Sequence, residues 1–140
     1  MADWKDDDTI KDDEGLLRRV PNWPNMVKFD ENKNEYRPSS ACFSDKSDGV
    51  ELSVTLETPL LENGSDHQSA TKTKGFGLAR VKAGIAREIT EPKQCIMREP
   101  TDDDPYHGII AGKKSKRAKQ KLARSAELVI APSIQAPEQQ

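Results

Sequence analysis

His107 is the side chain best placed to do chemistry. An imidazole titrates near neutral pH and is the usual general base, and this one follows Asp104-Pro105-Tyr106 and precedes Gly108, where a backbone or ligand can approach closely. Cys95 and Ser115 are the nucleophiles it could activate, and Asp102, Asp103 and Asp104 are the carboxylates nearest in sequence. Spacing assigns none of the three as its orienting group, and a lone histidine on a strand is more often a hydrogen-bonded structural residue. His107 is thus a candidate centre for a small hydrolase or transferase, without a complete catalytic set. His67, in a polar loop, ranks below it.

Metal and cofactor chemistry find no pattern to support them. Cys42 and Cys95 are the only cysteines, without a Cys-x-x-Cys or a Cys-His pair at ligand spacing, so both read as buried thiols acting as small apolar residues. Asp30, Asn32 and Asn34 match the start of a calcium loop. Glu35 then stands where that loop requires glycine and Ala41 where it requires the bidentate glutamate, so the segment reads as a turn. No metal and no cofactor are expected.

The strongest signal is electrostatic. Lys113, Lys114, Lys116, Arg117, Lys119, Lys121 and Arg124 place seven cations in twelve residues with no acid among them, while residues 1–15 hold seven acids against Lys5 and Lys11. On a helix the basic block forms one face, able to lie along a phosphate backbone and release counterions or to meet an acidic protein. Aromatic residues do not interleave it, which separates it from single-strand binders. The preceding Gly108-Ile109-Ile110-Ala111-Gly112-Lys113-Lys114-Ser115 approaches the phosphate-loop pattern GxxxxGK[ST]. It has one residue too few between the glycines and an extra lysine before the serine. That excludes an NTPase and leaves an anion site at a helix start. Trp23, framed by Pro21 and Pro24, is a rigid aromatic suited to packing a loop or anchoring an interface. Trp4 lies in the acidic segment and reads as solvated.

The elements that must position these residues follow from periodicity. Val50, Leu52, Val54 and Leu56 alternate with Glu51, Ser53, Thr55 and Glu57, the period of a strand with one buried and one wet face. Residues 39–44 are its expected hairpin partner through a turn at 45–49, and residues 26–29 an edge strand. Leu78, Val81, Ile85 and Ile89 sit three or four apart and predict a helix over 76–91, with a strand pair through Gly84 as the alternative. Residues 94–98 and 106–111 are apolar runs of strand length. Residues 115–130 read as an amphipathic helix with Ala118, Leu122, Ala126 and Val129 on one face.

Together these predict a small single α+β domain: a mainly antiparallel sheet, with one or two helices against one face, the C-terminal one amphipathic and basic. The domain spans residues 15–132, between a disordered acidic tail at 1–14 and a flexible C-terminal tail at 133–140. At 140 residues the chain has room for one domain. Its 26 Leu, Ile, Val and Phe residues make a thin core, and the net charge of −2 is too small for full disorder. No apolar run reaches the roughly 18 residues of a membrane helix, and the acidic start is unlike a secretion signal, so no membrane contact and a cytoplasmic location are expected. The function expected is that of a non-enzymatic interaction or accessory protein within a larger assembly, with a protein partner. The alternatives are a nucleic-acid-binding accessory protein using the 113–124 face and the His107-centred enzyme.

Overall fold

The computed structural model describes residues 4–44 and 50–133. The alternating segment forms strand β4, Glu51–Leu56, and its inward residues Leu52, Val54 and Leu56 are buried. Its neighbours are β1 (Gly15–Val20) and β7 (His107–Ala111). With β5 (Gly77–Lys82), β6 (Cys95–Arg98) and β8 (Glu127–Ile130) they form an antiparallel six-stranded sheet in the order β6-β7-β4-β1-β5-β8. Strands β2 (Val27–Asp30) and β3 (Glu35–Pro38) make a separate hairpin. Among the described residues the mainly antiparallel α+β domain is completed by four short helices: α1 (Glu57–Glu62), α2 (His67–Thr71), α3 (Ala83–Arg87) and α4 (Lys116–Ser125).

The main core lies on one sheet face. Leu16, Val20, Leu52, Leu56, Val81, Ile96 and Ile110 pack there against Phe43, Ala86, Leu122 and Ala123. On the other face Leu17 and Leu78 pack with Leu60 of α1 and Ala70 of α2, so helices cover both faces rather than one. That second cluster draws its strand residues from β1 and β5, and half-buried Tyr106 and Ile130 pack against it.

Several elements differ from the periodicity reading. Residues 39–44 are not a strand: Ser40–Phe43 is a 3-10 turn. A strand would send Cys42 and Phe43 to opposite faces, yet both bury in the same core. The turn expected at 45–49 falls outside the described residues. The 76–91 segment is β5 followed by the one-turn helix α3, because Leu78 is buried by the α2 layer while Ala79 and Val81 face the main core. Burial on both faces conceals a strand's alternation. The C-terminal helix stops at Ser125, and Leu128-Val129-Ile130, with two β-branched residues, pairs with the open edge of β5. The 26–29 strand is realised as β2, and Asp30 Oδ1 accepts from the backbone of Asn32 and Lys33 to build the turn expected in place of a calcium loop.

Residues 4–14, expected as flexible tail, pack along the domain. Ile10 is 1% exposed in the main core. Asp6 Oδ1 accepts from Ile96 N at 2.9 Å and Asp7 N donates to Ile96 O at 2.8 Å, which satisfies the outer edge of β6. Arg87 binds Asp6 and Asp12. The acids find specific cations, an outcome that composition does not register. Trp4 is half-buried rather than solvated.

Candidate functional site

His107 begins β7, paired with Thr55 of β4, and Thr55 in turn pairs with Leu17 of β1. Directly opposed residues share a face, so His107 and Thr55 stand side by side on the sheet face that α1 and α2 leave partly open. Past Leu17 the β1–β4 ladder ends, although β1 continues to pair with β5 as far as Val20. Arg18 fills the split: its Nη1 donates to Ser53 O and its Nε to Cys42 O, both at 2.8 Å. At this split lies a cavity of about 150 Å³ whose walls include Arg19, Ser53, Thr55, Lys72 and His107. His107 Nδ1 lies 2.9 Å from the carbonyl of Glu99 and 3.3 Å from its carboxylate, which engages that nitrogen and leaves Nε2 without a partner among the described residues.

The nucleophiles offered by sequence do not meet His107. Cys95 pairs with Ala111 at the far end of β7, four residues or about 14 Å along the strand. Ser115 lies beyond that end and caps α4 by accepting from Ala118 N. Asp104 pairs with Lys72. The hydroxyl beside His107 belongs instead to Thr55, and only the strand register brings the two together.

His67 belongs to a different cluster. Its Nε2 lies 2.6 Å from Glu57 Oε2, and Arg80 grips the same carboxylate through Nε and Nη2 while Nη1 reaches Glu127. The Arg80 hydrogen bonds hold the Glu57 carboxyl below its ordinary pKa, and His67 adds to the effect against the opposing pull of burial. The cluster ties the α1 start and α2 to β5 and β8. With every partner satisfied inside the fold it reads as structural.

The basic block divides. Lys114 is buried at 6% exposure, its ammonium donating to Ile110 O at 2.8 Å and Gly112 O at 2.6 Å. The lysine that precedes the serine therefore binds its own backbone. Gly112 has φ +126°, and a Cβ there would meet Lys93 O at 2.4 Å. The glycine-lysine spacing thus serves a tight turn. Lys121 pairs with Glu88 at 2.9 Å. Lys113, Lys116, Arg117 and Arg124 are exposed and Lys119 is half-exposed, so the α4 face keeps a smaller cationic patch than the sequence count. Among the described residues no group of three or more His, Cys, Asp or Glu is placed to hold a metal, and no helix is long and apolar enough to cross a membrane.

A third surface centres on aromatic residues. Trp23 is 56% exposed, Phe29 43% and Tyr36 61%. Phe29 and Tyr36 are opposed across the hairpin with ring centroids 5.1 Å apart at 75°, the edge-to-face geometry aromatic pairs favour. An isolated hairpin is marginal in water, and this one is fixed from outside. Arg37 binds Asp30 at 3.1 Å, Lys33 Nζ donates to Arg124 O at the end of α4, and β3 packs on α4 and β8. Sequence reasoning singled out Trp23 but missed Phe29 and Tyr36, whose cross-strand pairing depends on the hairpin register. No protein family, curated protein or solved structure matches the chain.

Proposed function

We propose that this chain is a non-enzymatic interaction protein of the cytoplasm, working within a larger assembly and docking a protein partner through the β2–β3 hairpin. One observation carries the reading. Of the four large hydrophobic side chains most exposed among the described residues, three are the aromatics Trp23, Phe29 and Tyr36 of one short stretch. Aromatic side chains dominate interface energetics because they bury large areas at little conformational cost; Phe29 and Tyr36 are held on a hairpin already fixed to the domain, and Trp23 stands just ahead of it, before the Pro24–Met26 turn.

The test is an affinity capture from the native host with the wild-type chain and the Phe29→Ser/Tyr36→Ser double variant. A stoichiometric protein held by the wild type after nuclease treatment and lost by the variant, with an unchanged circular dichroism spectrum, is the expected result. Retention of that protein by the folded double variant refutes the hairpin as the docking surface.

The exposed cations Lys113, Lys116, Arg117 and Arg124 support nucleic-acid binding along α4 as a second reading. It requires Lys116→Glu and Lys119→Glu to weaken binding to duplex DNA or RNA and to flatten its salt dependence. Unchanged affinity in both variants removes it.

A further inference from the structure

We infer that the cavity at the β1–β4 split binds the phosphate group of a small phosphate monoester, with Arg19 as its charged anchor. Arg19 has no carboxylate partner among the described residues. Its Nη1 donates to the Thr73 hydroxyl at 3.3 Å, and its guanidinium carbon lies 5.6 Å from the centroid of the Phe76 ring. These contacts orient the planar fork and leave Nε and Nη2 without partners among the described residues, the pre-organised pair of donors that suits a phosphate. Across the cavity, Ser53 and Thr55 present hydroxyls with no hydrogen-bond partner among the described residues, although Thr55 is only 6% exposed. The Thr55 hydroxyl oxygen is not among the sealed, unpartnered polar atoms, so it opens onto the cavity, where a guest can bond to it.

Lys72 and His107 complete the set, and their acids are already committed. Asp104 pairs with the Lys72 ammonium, and Glu99 engages His107 at Nδ1, so Nε2 is the ring nitrogen left for a ligand. A phosphate has more oxygens than a carboxylate, and the wall offers correspondingly many donors, the Arg19 fork, two hydroxyls and an ammonium, while His107, its Nδ1 proton on the Glu99 carbonyl, offers Nε2 as an acceptor to a phosphate hydroxyl. Size selects further. About 150 Å³ is the volume of a cavity that takes a benzene-sized guest, enough for a phosphate and the first carbons of its ester but not for a folded peptide. Arg19 lies at the exposed side, where the rest of the ligand would reach solvent. Sequence hides the site because its residues come from β1, β4, β7 and the end of α2.

The experiment is an amide NMR titration of the full chain with inorganic phosphate and with ribose 5-phosphate, at constant ionic strength to remove general screening. Acetate serves as the carboxylate control. Saturable shifts at Ser53, Thr55, Lys72 and His107 are expected for both phosphates, and weaker ones for acetate. Arg19→Gln should lower phosphate affinity about tenfold, the loss of one charge-assisted contact. Thr55→Val, nearly isosteric, should lower it by a smaller factor and guards against a folding artefact at Arg19. Non-saturating shifts, shifts confined to 113–124, or an unchanged affinity in a well-dispersed Arg19→Gln spectrum overturns the inference.

Discussion

Replacing Lys114 with methionine separates a structural lysine from a surface one. Its ammonium is buried and donates to two carbonyls, Ile110 O and Gly112 O, that lie at the junction of β7 and the turn into α4. Methionine keeps the length and apolar stem but supplies no donor, so both carbonyls lose a charge-assisted bond inside the protein. Each such bond contributes about 1.5–3 kcal/mol, and the desolvation cost of the buried ammonium, which methionine avoids, offsets part of the loss. A net destabilisation of about 3 kcal/mol follows. With a urea slope of about 1.5 kcal/mol/M, that moves the unfolding midpoint down by roughly 2 M at unchanged slope. Lys113→Met and Lys116→Met, on exposed neighbours, should each stay within about 0.5 kcal/mol of the wild type. Urea unfolding followed by tryptophan fluorescence and circular dichroism measures all three. If Lys114→Met unfolds with Lys113→Met, the ammonium contributes nothing to the turn, and Lys114 returns to the cationic face.

Two other outcomes probe the edges of the domain. Ile10→Ala should lower stability by about 2–5 kcal/mol, the cost of a buried large-to-small change, because Ile10 is 1% exposed in the main core; a change within error in urea unfolding would mean that the acidic segment is a tail after all. Glu57 makes stability pH-dependent. The Arg80 hydrogen bonds hold its folded-state pKa below the ordinary glutamate value, so its contribution is full above that ordinary value and is lost as pH falls through the lower folded pKa. Glu57→Gln should therefore be less stable than wild type at pH 7, with the gap narrowing as the pH drops below about 4, and a gap that is constant from pH 7 to pH 3 contradicts the coupling to Arg80 and His67.

The strict alternation of residues 50–57 is legible without a structure because one face of β4 meets the main core while the other carries Ser53 and Thr55. The same logic fails at β5. There α2 buries Leu78 from the second face, and an apolar residue on each side imitates a helical spacing. It fails again at 126–130, where a short run fits both periods and the free edge of β5 decides for a strand. The charge blocks illustrate a different limit. Their positions are visible in the sequence, but whether a charge meets solvent, a carboxylate or a backbone carbonyl depends on which elements lie beside it.

By itself the sequence determined an α+β composition, a strand at residues 51–56 with one face turned to the core, and the basic composition of residues 113–124. Those are local properties, set by residue type and by spacings of two to four residues. The tertiary structure alone decided that Lys114 turns inward, that Asp6 and Asp7 seal the edge of β6, that Phe29 meets Tyr36, and that Thr55 rather than Cys95 stands beside His107. Phe29 and Thr55 owe their neighbours to strand register, where a shift of one residue would carry a side chain to the opposite face, while Lys114 depends on the tight turn after β7 and Asp6 and Asp7 on a pairing with a distant segment.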